Sequence, residues 1–66
     1  MRTLIVQDPR GVTVGTWKRE TFLVRQGDSI ELPDSGCPKY AGKLLHLEQV
    51  VMDRLIRAQR VRIVEV

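Results

Sequence analysis

One cysteine, one histidine and three aromatic residues are all that this 66-residue chain offers of the side chains that most often carry chemistry. A lone cysteine excludes an internal disulfide, and one Cys with one His cannot close a four-ligand zinc site. No stretch approaches the ~18 consecutive apolar residues of a membrane-spanning helix. Met1-Arg2-Thr3 leads into a strand-like pattern, where a signal peptide would show a basic start and an apolar run. The expectation is one small domain over residues 1–66, not secreted through a signal peptide and not a membrane protein.

A chain this short buries roughly 60% of the surface its unfolded form exposes, so its core is marginal unless something staples it. With disulfide and zinc excluded, association remains, either with copies of itself or with a larger partner. The eight acidic residues show neither metal-loop spacing nor a paired-carboxylate signature, and none of the five glycines belongs to a phosphate-cradling loop. His46 has no Ser, Cys or carboxylate at dyad spacing, and Cys37 reads as a structural or exposed thiol, with cross-linking between chains as the alternative. No catalytic, cofactor-binding or metal-binding residue is predicted, and the chain does not read as an enzyme.

What the sequence does have is short strands with explicit turns. Leu4-Ile5-Val6 runs into Asp8-Pro9-Arg10-Gly11, with Asp, Pro and Gly where a type I turn prefers them. Val12 to Trp17 alternates, with Val12, Val14 and Thr16 on one face and Thr13 and Trp17 on the other. Thr21–Arg25 and Ser29–Leu32 follow as third and fourth strands around Gln26-Gly27-Asp28. Pro33 to Pro38 breaks the ladder.

From Tyr40 to about Gln59 the apolar spacing turns helical, and Val61–Val66 closes the chain as a β-branched strand. The order β-β-β-β-α-β predicts an α+β domain: a small β-meander or partly open barrel with one amphipathic helix packed on it. The two terminal strands, Met1–Val6 and Val61–Val66, carry no Pro or inward Lys to protect an edge, so each is expected to pair, with the other or with a neighbour.

On a helical projection, Leu44, Leu47, Val51, Leu55 and Ala58 form one stripe. Ala41, Leu45, Met52 and Ile56 form a second, roughly 100° away, with Glu48 and Gln59 between them. Either the two stripes are one wide core face with Glu48 reaching solvent at its edge, or the second is a contact surface for a partner. On the second view Leu45, Glu48, Met52 and Ile56 are the protein-interface residues. Asp53 and Arg57 form an i,i+4 pair on the opposite face.

Eleven basic residues against eight acidic give a net charge of +3, and only Arg54, Arg57, Arg60 and Arg62 are dense. Arg suits protein ion pairs and phosphates alike, so this patch fits an anionic partner of either kind. Three aromatics, not clustered on one strand, disfavour a base-stacking sheet.

Asp8-Pro9 with Gly11, Gly27, Leu32-Pro33-Asp34-Ser35, Tyr40, Arg54-Leu55 and Val64-Glu65-Val66 together resemble small tail-accessory proteins of Mu-like contractile phages. The likeness touches isolated positions over most of the chain. The sequence departs from that pattern in its greater length, its helix and an aromatic pair reduced to Tyr40. The resemblance implies a non-enzymatic component of a virion head or tail, with other subunits as partners and the virion or host cytoplasm as its location. The alternative from a different class is a small phage-type regulatory module that binds a host protein or nucleic acid.

Overall fold

Alternating β-branched and polar residues build most of the molecule. The computed structural model describes residues 2–65 as seven strands and one helix: β1 (Arg2–Val6), β2 (Val12–Thr16), β3 (Thr21–Val24), β4 (Ser29–Leu32), β5 (Lys39–Tyr40), β6 (Lys43–His46), α1 (Gln49–Arg57) and β7 (Val61–Glu65). All pairings are antiparallel, in one open sheet of order β3-β2-β6-β5-β4-β1-β7. The fold is broadly α+β, mostly sheet.

Chain order and sheet order agree only within β2–β3 and β4–β5–β6. β1 is an interior strand: Leu4 faces Ile30 of β4 on one side and Ile63 of β7 on the other. The terminal strands therefore pair with each other over Arg2–Val6 and Val61–Glu65. Met1 and Val66, also assigned to those strands from the sequence, lie outside the described residues.

One face of the sheet makes the core. Leu4, Val6, Val24, Ile30, Leu45 and Val61 are each at most 1% exposed. That single cluster joins Val24 of β3 to Val61 of β7, the two ends of the strand order. A flat sheet would hold β1 and β2 roughly 19 Å apart, four strand spacings. Here Gln7–Gly11 spans the gap while also closing a turn, with Gly11 N donating to Asp8 O at 2.8 Å. The sheet must curl, and Met52, Leu55 and Ile56 of α1 pack against the core it encloses.

The helix is shorter than its apolar spacing suggests. It begins at Gln49, not Tyr40, because Ala41 (φ 52°) and Gly42 (φ 79°) form a two-residue turn that pairs Tyr40 with Lys43. Positive φ at both central positions is the turn geometry that suits a tight hairpin. Leu44 and Leu45 accordingly belong to β6, and Leu47 to the loop after it. Glu48 is the N-cap, with extended backbone, and its carbonyl accepts from Val51 N and Met52 N. At the other end Gln59 N donates to Ile56 O and Arg60 N to Leu55 O, the paired bonds of a Schellman motif.

Candidate functional site

The largest exposed side chain lies where two hairpin tips meet. Trp17 follows β2 in a three-residue turn closed by Arg19 in the left-handed region (φ 64°). Thr16 holds that turn: its Oγ1 accepts from Lys18 N at 3.3 Å and Glu20 N at 3.2 Å. Its backbone N–H donates to Glu20 O at 2.8 Å. On the neighbouring strand β6, Leu45 turns inward and its neighbours Leu44 and His46 lie outside.

The Trp17 indole stacks on the His46 imidazole at 4.2 Å between centroids and 17° between planes. It remains 58% exposed, and Leu44 is 49% exposed. Between the tips of the β2–β3 and β5–β6 hairpins runs a groove of about 400 Å³ lined by Thr16, Trp17, Lys18, Glu20, Gly42, Lys43 and Leu44. Lys43 Nζ sits 3.9 Å from Glu20 Oε2 and 5.7 Å from the Phe22 ring centre. Behind it Phe22 stacks on Tyr40 at 5.5 Å. The Tyr40 hydroxyl donates to Asp28 Oδ2 at 2.9 Å, and that bond, burial and the carboxylate's charge all push the phenol pKa up.

An aromatic fixed by stacking, beside exposed aliphatic surface and a lysine rim, suits contact with another macromolecule. Large aromatics are enriched in such contacts because they bury much area and lose little side-chain freedom. His46 Nε2 lies 3.7 Å from Glu48 Oε1, a surface pair. Among the described residues no group of three or more His, Cys, Asp or Glu is placed to hold a metal. Cys37 is a free, partly exposed thiol in the loop before β5.

The four residues read as a helical interface stripe are not one surface. Leu45 is fully buried in β6, so it is a core residue and not part of any helix face. Glu48 caps the helix and is exposed, beside His46, and among the described residues no arginine pairs with it. Met52 and Ile56 are half-buried and turned towards the core. The exposed apolar residues of α1 are instead Val50 (57%) and Val51 (39%). Asp53 Oδ1 accepts from Gln49 Nε2 at 2.9 Å, in place of the expected Arg57.

The arginine cluster divides as well. Arg54, Arg57 and Arg62 are exposed, the last on the outer face of β7 opposite Ile5. Arg60 is a structural residue: its Nε donates to Asp8 Oδ2 at 2.7 Å and a terminal nitrogen to Gly11 O at 3.0 Å. Arg10, with its side chain and its backbone N–H, and then Arg60 hold the Asp8 carboxyl well below the usual carboxylate range, against the burial that would raise it.

Alternation puts Trp17 with Thr13 on the face opposite Val12, Val14 and Thr16 without saying which face is the core, and nothing in the sequence singles it out. The available signals were that orientation and the Ala41-Gly42 turn, which brings Leu44 and His46 alongside. No helix among the described residues is long and apolar enough to cross a membrane. Comparison with family models, curated proteins and solved structures finds no match to this chain.

Proposed function

We propose that this chain is a non-enzymatic structural or accessory subunit of a larger protein assembly, docking through the outer sheet surface around Trp17, Leu44 and His46. The observation that carries the reading is the Trp17 indole, held in place by His46 yet more than half exposed. Stacking on His46 still leaves more than half of the indole in water, apolar surface that a docked partner would bury. Burial against a partner recovers roughly 25 cal/mol for each Å² of apolar surface removed from water.

The fold fits a small building block. Strands from the two ends of the sheet order contribute to one core, which supports a partly open barrel, with Met52, Leu55 and Ile56 of α1 packed against that core. The resemblance in the Asp8-Pro9 turn, the Leu32-Pro33 step and the closing strand suggests a phage head or tail as the setting, in the virion or the host cytoplasm. The regulatory, nucleic-acid-binding alternative keeps Arg54, Arg57 and Arg62 but loses Arg60 to the Asp8 pair.

Size-exclusion chromatography with light scattering tests the proposal. The expected result is a mass above the 7.6 kDa of one chain, lowered in Trp17→Ala while far-UV circular dichroism is unchanged. A single-chain mass at all concentrations overturns it. So does tight DNA binding that weakens steeply with salt, the signature of phosphate contacts.

A further inference from the structure

The outer face of β2, β3 and β6 holds one ionisable side chain. Alternation puts Thr13, Gly15, Thr21, Leu23, Leu44 and His46 there, beside Trp17. The same face farther along the sheet carries Glu31, Lys39 and Arg62. In a chain of which 29% is charged, a three-strand surface with histidine as its one titrating group stands apart. His46 is also the single histidine of the sequence. Histidine is the side chain that ordinarily changes charge between pH 5 and 8.

Each neighbouring element presents a different group to the imidazole. Across β2 it lies opposite Gly15 and against the Trp17 ring, with Thr21 beyond on β3. Towards β5, Leu45 N donates to Pro38 O, next to Cys37, and Lys39 stands opposite Leu44 with Glu31 on its far side. Ahead of α1 comes Glu48, whose side chain makes no capping bond and whose Oε1 is 3.7 Å from His46 Nε2. Of the other charges nearby, Lys18 adjoins Trp17 in the turn, Glu20 pairs with Lys43, and Asp53 accepts from Gln49.

We infer that His46 makes docking on the Trp17 surface reversible by acid: the neutral imidazole lets the face be covered, and the protonated one releases it. In the uncovered chain a charged imidazole has the indole face at 4.2 Å, the Glu48 carboxylate and water as its partners. A partner seated on Trp17, Leu44 and His46 removes the water. Stripping water from a cation costs more than an exposed ion pair returns, and the neutral ring carries no such cost. The covered state therefore disfavours the proton. Docking is at full strength above the imidazole's titration range and weakens as pH falls through it. The loss is at most about tenfold in affinity per pH unit for each proton taken up.

This regulation rests on the assembly reading, and the two fail separately. The test compares solution mass by light scattering at pH 7.5 and pH 5.5. Asp8 stays ionised across that interval, its carboxyl being held below the usual carboxylate range, so the brace it forms is unchanged. The wild type is expected to lose mass at pH 5.5 with its circular dichroism retained. Emission from Trp17, the one tryptophan, is expected to move to longer wavelength as the indole returns to water. His46→Phe keeps a ring for the stack and takes up no proton, so whatever mass it shows at pH 7.5 is expected again at pH 5.5. His46→Lys keeps a cation throughout and is expected to run as single chains at both. A wild-type multimer of the same mass at both pH values overturns the switch and leaves the Trp17 surface standing. So does a His46→Phe protein that dissociates in acid, or a His46→Lys protein as large as the wild type. A wild-type protein that stays single at all concentrations at pH 7.5 overturns both.

Discussion

Arg60 and Asp8, 52 residues apart, meet through a 2.7 Å bond from the Arg60 Nε to Asp8 Oδ2. The same turn is tied twice more, because Gln7 N and Asp8 N both donate to Arg60 O. Asp8 is 6% exposed at its side chain and also accepts from the backbone and guanidinium of Arg10. The start of β7 is thereby clamped to the turn that launches β2. A basic end that looks free in sequence is in part a brace.

Acid should loosen that brace. The folded pKa of Asp8 lies below the ordinary aspartate value of 3.8. The stability it contributes is therefore present in full above that value and declines as pH falls beneath it, when protonation becomes the unfolded chain's advantage. Thermal unfolding followed from neutral pH into strong acid should show this decline. Asp8→Asn should unfold at a lower temperature at neutral pH and approach the wild type in acid. A constant gap between the two proteins across that range would remove Asp8 from the account.

Leu44 and Leu45 are neighbours with opposite roles, and single substitutions should separate them. Leu45→Ala empties a fully buried site and should cost about 2–5 kcal/mol, enough to unfold much of a domain this small. Leu44→Ala, at an exposed site, should change stability by no more than about 0.5 kcal/mol. Chemical denaturation of both variants checks this. Equal losses would return the segment to a helix with one broad apolar face.

Those two residues also show where sequence reading stops. Leu44, Leu47 and Val51 satisfy helical spacing, and strand alternation through Leu45 satisfies it nowhere near as visibly over four residues. Only the Ala41-Gly42 turn decides, and alanine is an unusual choice for positive φ. The later half of the helix was legible as helix; that Met52 and Ile56 of the second stripe join Leu55 of the first against the core is one of the two arrangements the spacing left open. The first four strands were legible from turn chemistry and alternation. The Asp8–Arg60 contact was not, since a pair so distant in sequence leaves no local pattern. The Trp17 surface was legible only as one of two alternating faces: neither its exposure nor its stacking partner His46 was visible.

Gly11 should tolerate no side chain. Its φ is +76°, and a Cβ there would lie 2.8 Å from Val24 O and 2.9 Å from Leu23 Cδ1. The left-handed backbone alone costs a non-glycine residue about 1–2 kcal/mol. Crowding a strand carbonyl adds about 1–3 kcal/mol. Gly11→Ala should therefore leave little folded protein, while Gly36→Ala, with open space around it, should cost only the backbone penalty. Urea midpoints for the pair provide the check, and equal values would contradict the close approach of Gly11 to β3.

Gln59 offers the opposite change, a gain in stability. It holds φ +57° at the position after the helix where glycine is most often found. Its backbone completes the Schellman bonds, and the bond from Gln7 Nε2 reaches its carbonyl, so no described contact depends on its side chain. Glycine there would relieve about 1–2 kcal/mol of left-handed strain. It would also give the unfolded chain more freedom, which offsets about 0.5–1 kcal/mol. The net expectation for Gln59→Gly is a gain of about 0.5–1 kcal/mol in chemical denaturation, with the slope of the transition unchanged. Gln59→Val, β-branched at positive φ, should lose stability by a similar amount or more. A glycine variant weaker than the wild type would mean that the chain does not leave α1 through this left-handed turn, and the path of Arg60 to Asp8 would need another explanation.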